Sequence, residues 1–267
     1  MKNILLYIKD YKEPSVFKPE NLLREARRQK GIPNCKIPKI CVLDPDGDIV
    51  EYLIRTGSAS LHTCWSCYHT IMYQFDHHGI ETGIIGCAVG ASFAVLLAEQ
   101  MFVSGCELLI SITSAGIINF PPEGKRFILI ERSLRDEGTS YHYLPPEESA
   151  SIHPALLNQL QGLSEHPELA LTIGSSWTTD APYRETETSI AYAKSQGVIA
   201  VEMESAALYA FAKARKKQVV CFAHLTNSMA HGKDFEKGVE NGSLASLEVI
   251  YQTIINTNPN GAITKDE

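Results

Sequence analysis

The chain has 267 residues, a formal net charge of −7 at pH 7 and a pI near 5.7, with 44% hydrophobic and 21% charged residues. No Lys/Arg stripe is dense enough for a nucleic-acid footprint, and Arg24–Lys30 reads as the solvated end of a helix. The longest apolar stretch, Ile84–Ala98, holds two glycines and stops at Glu99, too short to span a membrane.

In chain order, apolar and β-branched runs alternate with helical periodicity. Strands are expected at Ile4–Ile8, Lys39–Leu43, Ile49–Ile54, Gly83–Val89, Leu108–Thr113, Phe127–Ile130, Leu169–Ile173, Val198–Val201 and Val219–Thr226. Helices are expected at Glu20–Lys30, Thr63–Phe75, Ala91–Val103, Pro154–Leu160, Glu185–Ser195, Ser205–Ala214 and Phe235–Ile255. Pro121–Arg126 and Leu144–His153 read as insertions. This alternation predicts one three-layer α/β/α domain over residues 1–267 around a mixed sheet, with 1–38 as an extension and 257–267 as a frayed tail. Met1–Leu6 carries no secretory signal pattern, and seven scattered cysteines fit a reducing cytoplasm rather than a disulfide framework.

Several strand ends carry groups suited to chemistry. In Val201–Leu208, Glu202 and Glu204 bracket Met203 where a strand gives way to a helix. Carboxylate oxygens there can grip the vicinal hydroxyls of a sugar; the same acids also suit a first helical turn. Gly86–Ser92 joins a strand to a helix, where exposed N–H groups attract anions or simply close a tight turn. Ser111–Gly116 ends a strand in hydroxyls, and Leu43–Asp48 is an acidic loop that also reads as a polar β-turn. Arg135–Tyr143 combines aromatic faces with donors, suiting a ligand wall or a solvent loop. Cys64 and Cys67 form a Cys-x-x-Cys with no second pair at zinc spacing, so no metal is expected.

The Glu202-Met203-Glu204-Ser205-Ala206 run resembles the ribose-binding signature of the nucleoside phosphorylase superfamily, and the chain looks like its uridine phosphorylase branch. The resemblance extends in patches from about Lys39 to Gly238. It implies a nucleoside-phosphorylase-like fold, Glu202, Met203 and Glu204 against the ribose, and Gly90, Ser92, Thr113 and Ser114 around the nucleophile. Gly174–Thr186 resembles the base-recognition segment, which makes Trp177, Asp180, Tyr183 and Arg184 candidates for the base wall. Asn227 stands where adenine-cleaving members carry an aspartate acid. An amide stabilises charge on a base without protonating it, which favours an oxo-bearing base such as a 6-oxopurine or uracil.

Two departures concern the nucleophile. Ser111 and Gly47 stand where the family's phosphate arginines fall, and Asp46 and Asp48 lie close by. Arg55 and Arg126 are candidate replacements. The hydrolytic branch also ends its strand Ser-Ala-Gly and uses an acid on water, a role open to Asp46. The expectation is therefore a pentosyltransferase that cleaves nucleosides with inorganic phosphate and no further cofactor. The alternatives are a hydrolytic nucleosidase and a non-catalytic nucleoside sensor. The resemblance also implies a homo-oligomer (dimer, trimer or hexamer) with a small-molecule nucleoside as partner, not nucleic acid or membrane.

Overall fold

Buried strands of a parallel sheet are apolar on both faces, and β1 (Ile40–Asp44) is buried at every position. The computed structural model describes residues 8–228 and 237–257. Strands β4 (Ile80–Gly86) and β5 (Leu108–Ile117) flank β1 in parallel, with Leu43 level with Ile85 and Ser111. Beyond β4 lie β3 (Tyr73–His77) and the edge strand β2 (Ala59–Leu61), both antiparallel. On the other side follow β9 (Val198–Glu202), β8 (Leu171–Thr179), β6 (Phe127–Asp136) and β10 (Gln218–Ser228), with β7 (Ser149–Ser151) paired to β6. β10 then returns to pair with β5, so half of the mixed sheet closes on itself.

Helices α1 (Pro19–Lys30), α2 (Asp48–Arg55), α3 (Ala91–Ser104), α4 (Pro154–Leu160), α5 (Glu187–Ser195), α6 (Ser205–Arg215) and α7 (Ser243–Thr257) cover the sheet. α6 is buried along most of its length, and its Tyr209 hydroxyl donates to the Ile130 carbonyl and accepts from the Cys221 amide at 3.1 Å. This pins the helix across β6 and β10. A second, smaller apolar cluster of Ile118, Leu134, Trp177, Ala193, Val198 and Val201 packs α5 against the sheet.

Two expected elements are corrected. Ile49–Ile54 is helical, not a strand. The buried Asp44 carboxylate accepts from the Gly47 and Val50 amides at 3.1 and 3.0 Å, and Gly47 turns the chain at φ 88°. That cap starts α2 and turns Ile49, Val50 and Leu53 inward on one face. Thr63–Phe75 is a loop running into β3 rather than a helix. The His62 amide donates to the Met72 carbonyl, Trp65 Nε1 donates to the Thr70 hydroxyl, and Lys30 Nζ donates to the Cys67 carbonyl. Of Ile4–Ile8 and Phe235–Ile255, residues 4–7 and 235–236 lie outside the described residues, as do residues 258–267 of the tail.

The cysteine expectation is also corrected: Cys35 is disulfide-bonded to Cys64, 29 residues along the chain. Cys67, the second half of the Cys-x-x-Cys, is free and buried. The bridge ties the segment after α1 to the loop before β3. Closing a loop of this length is worth about 3.5 kcal/mol in the chain-entropy account. Cys35→Ser should therefore lower the unfolding free energy by roughly that amount, read from urea midpoints compared with and without reductant. The wild type in reductant should match the variant.

Candidate active site

The carboxyl ends of β1, β4, β8 and β9 converge where β5 changes partner. Along one edge, β5 pairs with β1 as far as Ser111 and with β9 from Gly116 onward. Its other edge stays with β10 throughout. Between those partners, residues 112–115 have no ladder partner on the first edge.

The two glutamates of the Glu-Met-Glu run have different fates. Glu202 is buried and accepts from five donors: the hydroxyls of Ser133 (3.3 Å), Ser176 (3.0 Å) and Thr178, and the amides of Glu204 and Ser205 (both 2.7 Å). It caps the start of α6 and ties three strands together. The expected ribose contact is corrected, because this carboxylate is already saturated. Glu204 is wholly buried, and its Oε1 accepts from the Gly90 amide at 2.6 Å. Among the described residues its Oε2 has no hydrogen-bond partner within normal geometry. The Thr113 hydroxyl lies beside the carboxyl, favouring its charged form, and also reaches the Ser114 carbonyl at 3.4 Å. Burial, then the neighbouring Glu202 and Asp46 charges, push the Glu204 carboxyl up to about 8. A buried carboxyl oxygen left without a partner costs about 1–3 kcal/mol. Met203, half-buried, separates the two acids.

The nucleophile side is built by the β1 and β4 loops. Asp44, raised to about 7 mainly by burial, holds the turn that presents Asp46. Asp46 Oδ2 accepts from the Ser114 amide at 2.8 Å, and Oδ1 lies 3.5 Å from Lys237 Nζ. Lys237 also pairs with Asp48. His224, level with Ser114 on β10, stacks on Phe127 with ring centroids 4.6 Å apart. Burial, aided by Arg126 and Lys237, lowers its imidazole to about 4. Gly90 takes φ 97° as the N-cap of α3, and Ser92 is exposed on the first turn. Lys237 and His224 had no motif to mark them; only the folding of β10 and the 237–242 segment onto the acidic loop reveals them.

Other candidates stand elsewhere. Arg55 is paired with Glu240 and lies over the Tyr52 ring. Trp177 sits on the face of β8 opposite Ser176 and Thr178, buried in the small cluster with Nε1 donating to Asp136 at 3.0 Å. It packs in that cluster and also borders a hollow of about 550 Å³ with Arg135 and Tyr141. Asp180 accepts from the Gly138 amide at 2.9 Å, and Tyr183 and Arg184 project into solvent from a short turn after β8. Arg135 is a buried clamp whose guanidinium donates to the Ser140 hydroxyl and the Leu144 and Pro145 carbonyls, while the Tyr143 hydroxyl reaches Glu99 on α3. The Arg135–Tyr143 wall is thus a loop brace. Asn227 is level with Gly116 in β10, but its side chain lies outside the described residues.

The family model described as "Phosphorylase superfamily" matches residues 39–255. The chain belongs to this superfamily. Uncharacterized protein R802 of Acanthamoeba polyphaga mimivirus is 30% identical over 145 residues, which span 53% of this phosphorylase-superfamily chain and 55% of the viral protein. The guanosine phosphorylase of Halorubrum lacusprofundi is 21% identical over 173 residues, 65% of the chain and 70% of that enzyme. Among solved structures, the purine nucleoside phosphorylase of Toxoplasma gondii in complex with immucillin-H superposes with a TM-score of 0.71 at 13% identity, covering 85% of this chain and 94% of that one. The uridine phosphorylase of Vibrio fischeri ES114 gives 0.67 at 18% identity, covering 84% and 95%. These neighbours share its mixed-sheet α/β fold.

Proposed function

We propose that this superfamily member cleaves the N-glycosidic bond of a nucleoside carrying an oxo-bearing base, a 6-oxopurine or uracil, with phosphate as acceptor. The observation that carries the proposal is the buried, unpartnered Oε2 of Glu204 beside Gly90, Thr113 and Asp46. Named relatives and fold neighbours are guanosine, purine nucleoside and uridine phosphorylases, which supports the same class of substrate.

The C1′–N bond breaks with its electron pair leaving on the base, which takes up a proton, and a phosphate oxygen forms the new bond to C1′. The products are free base and pentose 1-phosphate. The transition state is oxocarbenium-like. Glu204 accepts hydrogen bonds from the 2′- and 3′-hydroxyls, and the cation growing on the ring favours its ionised form. Met203 packs against the sugar, and Gly90, Thr113 and Ser114 frame the acceptor. Lys237, paired with Asp46 and Asp48, and Arg126 carry positive charge near His224.

One observation favours water as acceptor instead. The Asp46 carboxylate already sits on the Ser114 amide, a donor that a phosphate would use. Asp46 would then take a proton from the attacking water.

Incubation with inosine, guanosine and uridine, with and without phosphate, separates the readings by release of free base. Phosphate-dependent release supports the proposal, and phosphate-independent release moves the assignment to hydrolysis. Binding without release refutes enzymatic cleavage. Asp46→Asn gives a second readout. Under phosphorolysis it should lower KM for phosphate by removing a like charge, whereas under hydrolysis turnover should fall about 10²–10⁴-fold.

A further inference from the structure

A cavity lies at the opposite pole of the sheet from Glu204. α6 begins at the glutamate pair and ends at Arg215, and β10 begins at Gln218. Around that far end, between α4, β7 and the last turn of α6, is a hollow of about 920 Å³. This is within the size range of small-molecule sites. Its floor includes Ile152, Leu156 and Val219, all almost fully buried. Lys213 and Lys216 stand exposed on its rim, and Lys217 lines it while its ammonium lies 5.3 Å from the Phe102 ring; among the described residues the one lining acid is Glu147.

Part of that positive charge answers the negative end of the α6 dipole. The dipole does not explain why the cations border an apolar hollow on a chain of net charge −7. Lys216 also takes a left-handed conformation at φ 53°, ending the helix so that the Lys217 amide returns to the Ala212 carbonyl at 2.9 Å. The chain turns sharply here, with Lys213 and Lys216 beside the opening.

We propose that this cavity binds a small amphiphilic anion: one carboxylate or sulfonate head on an unbranched or aryl hydrocarbon body. The head meets the rim lysines, which remain hydrated and pair by charge, and the body enters the apolar floor, where its burial drives binding. Nothing in this assignment depends on the reaction at Glu204.

Calorimetric titration of the full-length protein with decanoate tests it, with decyltrimethylammonium as the control of opposite charge. Two variants are built on exposed rim positions, so that both retain the fold: the combined Lys213→Gln, Lys216→Gln, Lys217→Gln protein, and Ala155→Trp, which blocks the opening. Decanoate should bind the wild type one to one and the cationic control should not. Each variant should weaken binding at least about tenfold, the scale of one lost charge-assisted contact, with unchanged circular dichroism and melting temperature. Absence of binding below the micellar range, equal affinity for both amphiphiles, or equal affinity in wild type and variants overturns the proposal. So does a change in solution mass of the triple variant, which would assign the cavity to a contact between copies of the chain.

Discussion

Glu204→Gln is expected to reduce kcat/KM for nucleoside cleavage by at least about 10²–10³-fold while leaving the fold intact, the loss typical when one preorganised electrostatic group is removed. The amide oxygen can still accept from the Gly90 amide, so the loop geometry is kept. The negative charge that favours the cationic sugar is lost. Near-wild-type turnover in this variant would sink the assignment of the site.

The same residue predicts a pH signature in stability. An ordinary glutamate in the unfolded chain loses its proton far below neutrality, whereas folded Glu204 keeps it up to about 8. Folding therefore takes up a proton between those values. Stability contributed by this group is full at low pH and declines as pH rises through the window, levelling off above about 8. Asp44, raised to about 7, adds a slope of the same sign. Glu204→Gln should remove its own share and leave that of Asp44, so above pH 8 the variant should be more stable than wild type by more than about 1 kcal/mol. Urea titrations across pH 5–9 read both quantities. A steeper decline in the variant would contradict the argument. On kcat/KM, ionisation of Glu204 in the empty site should appear as a rising limb toward pH 8 that the variant lacks.

Glu202, two residues earlier, should behave in the opposite way. Glu202→Ala leaves the Glu204 and Ser205 amides without their acceptor and removes the carboxylate shared by the Ser133, Ser176 and Thr178 hydroxyls, which also contact one another. Breaking such a buried network is expected to cost about 3–5 kcal/mol of stability, with activity lost only as the protein unfolds. Glu202→Gln keeps an acceptor for the α6 amides, and its NH₂ can donate to the serine and threonine oxygens, so it should recover most of that loss. A stable but inactive Glu202→Ala protein would return this residue to the ribose.

The sheet was legible because strands buried on both faces read as unbroken apolar runs, as in Ile40–Leu43 and Leu108–Ile110. Ile49–Ile54 misled for the same reason. Its β-branched residues suit a strand, but Asp44 and Gly47 nucleate a helix just ahead of them, and a cap outweighs the small propensity difference. Thr63–Phe75 failed because tertiary ties, from Lys30 to the Cys67 carbonyl and from Cys35 to Cys64, override its periodicity. In the site, Glu204 was legible from its motif. The division of labour with Glu202 was not, since it depends on Ser133, Ser176 and Thr178 arriving from strands far away in sequence. Trp177 shows a parity limit: a residue adjacent to site-facing Ser176 and Thr178 on an extended strand necessarily looks the other way.

The parting of β5 from β1 and β9 has an evolutionary corollary. Glu204 and the Gly90 amide it accepts from sit at the starts of α6 and α3, braced by the sheet on both sides of that fork. The 45–47 and 180–186 segments lie outside the strand ladder. Under the proposed function, such a division lets the acceptor or leaving group vary without rebuilding the cradle that carries Glu204.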